Sequence, residues 1–142
     1  MELKDFLGRW RVDRRIANAI GADAQFSGVA EFTGTAARLV LEERGEMRLE
    51  GQGADAPAMQ ATRRYHWQQG MQGIEVFFDD GRFFHLIGPD AEVSARHDCA
   101  PDLYQVAYDF RTWPQWSSVW SVAGPRKDYR METRYAPMGA GD

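Results

Sequence analysis

Cysteine, histidine and lysine are scarce in this chain of 142 residues: there is one cysteine, Cys99, and there are three histidines and two lysines. A lone thiol excludes an intramolecular disulfide framework and a thiolate-rich zinc site. Long apolar runs are missing, and the opening segment MELKDFLGRW carries acids and a tryptophan where a secretory signal would need a basic end followed by an apolar stretch. The expectation is a cytoplasmic protein with no membrane span. Positive charge is not in excess, with 17 Lys+Arg against 21 Asp+Glu and a net charge of -4, which argues against nucleic acid as a partner. The length leaves no room for a second large domain, so we expect a single domain over residues 1–137 and a flexible tail over 138–142.

What the chain does contain is 44% hydrophobic and 13% aromatic residues, enough to build a core. They recur mostly with a period of two. Trp10, Val12 and Ile16 share one face of the segment from Arg9 to Ile16; Tyr104, Val106, Tyr108 and Phe110 share one face of the segment ending at Phe110; Tyr129, Met131, Thr133 and Tyr135 alternate with Arg130, Glu132 and Arg134. From Met59 to Gln68, Arg63, Tyr65 and Trp67 oppose Arg64, His66 and Gln68. Asp79-Asp80-Gly81 divides two β-rich apolar runs and predicts a hairpin, while Arg44-Gly45 predicts another between Arg38–Glu43 and Glu46–Glu50. Gly88-Pro89-Asp90, Ala100-Pro101-Asp102, Trp113-Pro114 and Gly124-Pro125 mark further turns. About nine or ten short strands, preceded by a short helix-compatible opening at Leu3–Leu7, predict an all-β protein. A closed antiparallel up-and-down barrel is favoured over a sandwich because closure removes exposed strand edges.

Phe6-Leu7-Gly8-Arg9-Trp10 resembles the Gly-x-Trp start of lipocalin and calycin barrels. That resemblance implies a short N-terminal helix closing one barrel end, and a tryptophan packed under a basic residue of the last strand, for which Arg126, Arg130 and Arg134 are the candidates. The whole chain also resembles a family of uncharacterised bacterial proteins with a domain of unknown function. The motifs carrying this are Gly8-Arg9-Trp10-x-Val12, Asp80-Gly81-Arg82-x-Phe84-His85, His97-x-Cys99-x-Pro101-Asp102-x-Tyr104 and Gly124-Pro125-Arg126-Lys127-Asp128-Tyr129. The resemblance implies a barrel-like fold and assigns no activity.

The residues carry several chemistries. His97 and Cys99 share a strand face, so an imidazole stands near a thiol it would activate, yet no third group orients the base; a small buried thiol beside a hydrogen-bonded histidine is the plainer reading. His66, His85 and His97 lie on separate strands, and no spacing makes them a metal site. No cofactor is implied, although a haem-binding barrel with His85 or His97 as axial ligand is an alternative. Arg14 lies on the apolar face of its strand and needs either a ligand headgroup or an internal salt bridge. Arg126 and Lys127 stand at a strand start where they would clamp an anion or pair with neighbours.

The favoured reading is a barrel that binds a small, partly apolar ligand, with or without an acid group. Trp10, Phe84, Tyr104 and Tyr108 would meet the apolar body, and Arg14, His85, Arg126 and Tyr129 the polar groups. An enzyme acting through His97 and Cys99 or through His85 is the second reading. An interaction protein, such as a homodimer formed through an aromatic patch at Trp113, Trp116 and Trp120, is the third.

Overall fold

A computed structural model of the chain describes residues 2–53 and 57–139. A short 3-10 turn at Leu3–Phe6 precedes ten strands: β1 Gly8–Asn18, β2 Ala24–Gly34, β3 Arg38–Leu49, β4 Met59–Gln69, β5 Ile74–Phe78, β6 Phe83–Ile87, β7 Glu92–Cys99, β8 Asp102–Asp109, β9 Trp116–Gly124 and β10 Lys127–Pro137. All neighbours are antiparallel in one sheet ordered β6-β5-β4-β3-β2-β1-β10-β9-β8-β7. First and last strands pair along their length, with Trp10 opposite Pro137 and Asn18 opposite Tyr129. The sheet curls into the expected all-β antiparallel barrel, and no helix among the described residues is long and apolar enough to cross a membrane.

The closure is incomplete. Strands β6 and β7 are joined by a short turn and pack together, but no ladder links them among the described residues. Side chains hold this seam instead. The Phe84 ring of β6 lies 5.5 Å from the His97 ring of β7, and His85 Nε2 lies 2.9 Å from the Tyr108 hydroxyl of β8.

Period-two burial sorts the barrel wall. Along β9 Trp116, Ser118, Trp120 and Val122 turn inward and are buried; along β10 Met131, Thr133 and Tyr135 do the same. The predicted aromatic patch at Trp113, Trp116 and Trp120 is therefore no outer surface, since Trp116 and Trp120 are core residues and Trp113 packs on the core. Arg126, Arg130 and Arg134 are exposed, because the opposite parity of β10 belongs to its apolar side chains. None of the three takes the place under which the first-strand tryptophan was expected to pack. Trp10 instead donates its indole N–H to the Phe6 carbonyl at 2.8 Å and lies against Trp113 and Trp116.

The end closed by the 3-10 turn is an aromatic plug. Leu3 and Phe6 are fully buried, and the Phe6 ring meets Trp67, Trp113 and Trp116 at 5.1 to 5.4 Å. Leu3 N–H donates to the Gln69 side chain, tying the turn to β4. At the other terminus Met138 N–H donates to the Arg9 carbonyl at 3.0 Å, so the chain stays attached to β1 one residue beyond β10; residues 140–142 of the expected tail lie outside the described residues.

One turn is not where the sequence suggested. Arg44-Gly45 makes no hairpin: β3 runs unbroken from Arg38 to Leu49, with Gly45 opposite Gly28 of β2. A Cβ on Gly28 would overlap the Arg44 carbonyl oxygen, and one on Gly45 the Ser27 carbonyl oxygen. Each glycine lets the other strand's backbone approach closely, as expected where a sheet bends sharply. Gly28→Ala and Gly45→Ala are each expected to lower stability by about 1–3 kcal/mol through overpacking. Urea unfolding checks this, with a lower midpoint and an unchanged m-value as the signature.

Candidate functional site

Residues at the middle of the strands form a polar layer across the lumen. Arg14 of β1, inward by the same alternation that buries Val12, is 7% exposed, and Glu43 of β3, two residues after Leu41, is 2% exposed. Arg14 Nη2 donates to both Glu43 carboxylate oxygens at 2.9 and 3.0 Å, and Arg14 Nε donates to the Thr133 hydroxyl at 2.8 Å. The Tyr135 hydroxyl donates to Glu43 at 2.8 Å and accepts from Arg14 at 3.3 Å. Arg14 also stands over the Phe26 ring. Glu43 and the other partners outweigh the desolvation that burial imposes and hold the guanidinium charged, with its pKa raised. Arg14 thus has the internal salt bridge that the sequence left as one of two choices.

Tyr108 and His85 belong to the same level. Burial pushes the Tyr108 phenol up, and the His85 ring packs on the Tyr108 ring at 5.5 Å. His85 faces inward in regular alternation with Ile87, opposite Val76; the pairing then shifts between Val76 and Phe77, so that Phe77 faces Phe83 and Phe84 is the extra residue. The shift leaves Phe84 and His85, neighbours in sequence, both buried.

Beyond this layer lies the end opposite the plug, where inward-facing side chains keep partial exposure. Ile16, Met47, Ala61, Tyr65, Phe78, Tyr104 and Tyr129, drawn from six strands, pack on the core but are only partly buried. They line this end of the lumen, the cup, with Phe84 and Trp120 at its base, the two rings 5.1 Å apart, and a concavity of about 520 Å³ lies at its rim among Arg63, Tyr65, Phe78 and Arg82. Three cations stand over its rings: Arg63 over Trp120, Arg82 over Phe78 and Lys127 over Tyr104, each within 6 Å of the ring centre. Arg82 is paired with Asp80 at 2.8 Å and Lys127 with Asp102 at 3.3 Å. Arg63, half-buried on the inward face of β4, has no carboxylate partner among the described residues; its contacts are Trp120, the Tyr65 hydroxyl and the field of Tyr129. Burial pushes the phenols of Tyr65 and Tyr129 up, so both remain hydrogen-bond donors at neutral pH. The outer wall carries concavities as well, one of about 540 Å³ among Ser94, Arg96, Gln105 and Arg130.

The residues singled out in the sequence divide among these levels. Phe84 and Tyr104 face the cup with Tyr129, His85 and Tyr108 lie at the polar layer with Arg14, and Trp10 belongs to the plug. Arg126 is exposed in the turn between β9 and β10, because its predicted strand starts one residue later. His66 faces outward and meets Asp79 at 3.0 Å. Among the described residues no three His, Cys, Asp or Glu side chains converge on a metal-sized point. His97 and Cys99 share the inward face of β7 as expected, yet no hydrogen bond joins them among the described residues. His97 is bounded by the Phe78, Phe84 and Tyr104 rings, while Cys99 lies beside the Arg82 guanidinium. Of the two axial candidates for haem, His85 has Nε2 committed to Tyr108.

Glu43, Arg63 and Trp120 were not among the predicted contacts. The signal for Glu43 was a carboxylate in phase with Leu39 and Leu41, obscured by the expected hairpin at Arg44-Gly45. The signal for Arg63 was its place on the Tyr65–Trp67 face.

Two stability measurements test the polar layer. Glu43→Ala leaves a buried, unpaired Arg14 and is expected to cost about 3–5 kcal/mol, most of it recovered by the double replacement Arg14→Met with Glu43→Leu; denaturant unfolding of the three variants checks this. Burial, followed by repulsion from His97, pulls the His85 imidazole from its ordinary 6.5 down to about 3. The unfolded chain then binds a proton that the folded barrel refuses. Stability contributed by neutral His85 is complete above pH 6.5 and drains as pH falls toward 3, at up to about 1.4 kcal/mol per pH unit. His85→Phe is expected to flatten that slope in unfolding titrations between pH 7 and 4.

Comparison with known proteins places this arrangement in context. No curated protein matches the chain. Among solved structures, the chain is similar to an S-type phycobiliprotein lyase, CPES, from Guillardia theta, with a TM-score of 0.66 and 8% sequence identity over 96% of this chain and 90% of that one; at that identity the likeness concerns the barrel fold. The model of a family of unknown function, DUF6314, matches residues 6–137, from the plug through the end of β10, and the chain belongs to that family.

Proposed function

We propose that the barrel binds a small organic anion with an apolar body in its open cup. The observation that carries this reading is the contrast between two inward-facing arginines. Arg14 is paired with Glu43 and bonded to Thr133 and Tyr135 through Nε and Nη2. Arg63 faces the same lumen half-buried, directly across the β3–β4 ladder from Glu43, whose carboxylate is held by Arg14, and among the described residues no carboxylate lies within ion-pair distance of it. A guanidinium partly removed from water without a counter-charge is under-compensated, and a carboxylate or similar anion supplies what it lacks. The phenols of Tyr65 and Tyr129 are positioned to donate to the same anion, and the Phe78, Phe84 and Trp120 rings supply a wall for a flat apolar body. The partial exposure of inward-facing Ile16, Met47 and Tyr104 leaves apolar surface for such a body to cover.

The test uses anilinonaphthalene sulfonate, an aromatic anion whose fluorescence rises in apolar surroundings. Wild type is expected to bind it at a single saturable site, and Arg63→Met to weaken binding by about tenfold or more. Arg126→Met, at the exposed turn, is expected to leave the titration unchanged. Equal affinity in wild type and Arg63→Met would remove Arg63 as the anion anchor and with it the reading.

A further inference from the structure

Among the described residues two buried side-chain polar atoms have no hydrogen-bond partner, Trp116 Nε1 in the plug and His85 Nδ1 in the polar layer at the base of the cup. His85 is 1% exposed, Nε2 is engaged with the Tyr108 hydroxyl at 2.9 Å, and buried Nδ1 has no hydrogen-bond partner. Buried polar atoms are nearly always satisfied, and one that is not asks for an explanation. The local structure sharpens the question. His85 stands at a regular inward position of β6 between buried Phe84 and Ile87, opposite Val76, and an apolar residue there would fill the space without leaving an orphan atom. The imidazole is held on two sides, by Tyr108 through the hydrogen bond and ring packing and by the Phe84 ring, edge-on at 4.3 Å. It also lies in the unpaired seam, where movement of β6 breaks no backbone ladder to β7.

We propose that His85 Nδ1 hydrogen-bonds a neutral hydroxyl at the inner end of the ligand whose anionic end Arg63 holds; this rests on the reading of the cup as an anion site. The two anchors are connected through the cup wall: Arg63 stands over Trp120, Trp120 meets Phe84 edge to face, and Phe84 meets His85. A neutral imidazole carries a single N–H, and which nitrogen holds it depends on the direction of the bond to Tyr108. A hydroxyl serves either arrangement, because it both donates and accepts. An anion at this depth does not suit the site: Glu43 already places a carboxylate in the same layer, and His85 stays neutral. The class of ligand is therefore a hydroxylated organic acid, acid group outward at Arg63, rigid apolar body along Trp120 and Phe84, hydroxyl inward at His85.

The experiment compares biphenyl carboxylate with its para-hydroxy derivative, whose acid and hydroxyl sit at opposite ends of a flat apolar body. By calorimetric titration, wild type is expected to prefer the hydroxylated acid by about tenfold, the worth of one buried hydrogen bond. His85→Phe is expected to abolish that preference while still binding the unsubstituted acid, and His85→Gln, which restores polar atoms, to recover part of it. Imidazole nitrogen NMR of wild type adds a readout independent of any variant's folding: the His85 Nδ1 resonance should move with the hydroxylated acid and stay in place with the other. Equal binding of the two acids, or a preference that survives in His85→Phe, overturns the role of His85 alone. Binding of both acids that is indifferent to Arg63→Met, or no binding of either to wild type, overturns the anion reading of the cup and this inference with it.

Discussion

The ion pair between Arg14 and Glu43 is the constraint around which the barrel interior is arranged. Neither charge is tolerable alone in a lumen lined mainly by apolar and aromatic side chains, so the strands that carry them have to hold one register. Arg14 reaches across β2 to Glu43, while Thr133, directly opposite Arg14 on β10, and Tyr135 close the remaining donors and acceptors. A one-residue slip of β1 against β10 would send Arg14 outward and bury Arg15 or Asp13 in its place. An apolar layer of the same volume would serve stability as well or better; what this layer provides is a single permitted alignment of first and last strands. It also divides the lumen, with the plug of Phe6, Trp10, Trp67 and Trp116 on one side and the cup on the other.

The seam between β6 and β7 follows from a second local constraint. Both β5 and β6 are five residues long, and the shifted pairing between them turns the end of β6 inward at two successive residues. A strand distorted in this way cannot offer a regular ladder to the next one, so closure passes to Phe84, His97, His85 and Tyr108. The unpaired edges are thereby covered by the barrel's own aromatic rings rather than by solvent or another chain, which limits edge-to-edge association. Those same rings form the inner wall of the cup, so closure of the barrel and construction of the candidate site draw on one set of side chains.

Much of the wall was legible in the sequence because alternation reports which side chains face inward without needing to know what they meet. Trp10, Val12 and Arg14 on β1, and Met131, Thr133 and Tyr135 on β10, all face the lumen as their period of two implies. Asp79-Asp80-Gly81 and Gly124-Pro125 lie at turns for the local reasons that make such residues turn formers. The reading failed where a long-range contact overrode a local preference. Arg44-Gly45 looks like a hairpin locally, but Gly45 is small because Gly28 of the neighbouring strand crosses close to it, and no local pattern reveals a neighbour 17 residues away. Phe84 and His85 are neighbours that strict alternation would send to opposite faces, and only the shifted β5–β6 pairing, with Phe84 as the extra residue, buries both. Arg126 carried the right chemistry and lay one residue outside the strand. Glu43 was hidden by the misplaced turn, and with it the partner that settles the fate of Arg14.

Net charge alone would direct attention away from anions, since acids exceed bases by four. The distribution within the lumen argues differently, because an electrostatic site is defined by which charges remain unneutralised after the nearest partners are assigned. At the cup, Asp80 and Asp102 are assigned to Arg82 and Lys127. In the polar layer Glu43 is assigned to Arg14. On the outer face of β3 and β4, Glu42 is shared between Arg44 and Arg64. What is left over inside among the described residues is Arg63, backed by a tryptophan face and flanked by phenols held in their protonated form. A protein with an overall negative charge repels anions at long range, and at physiological ionic strength that repulsion fades within about 8 Å. Within the cup the local guanidinium decides the sign. The discrimination such a site offers is against ligands lacking a compact negative group, since these would cover the aromatic wall while leaving Arg63 without water and without a counter-charge.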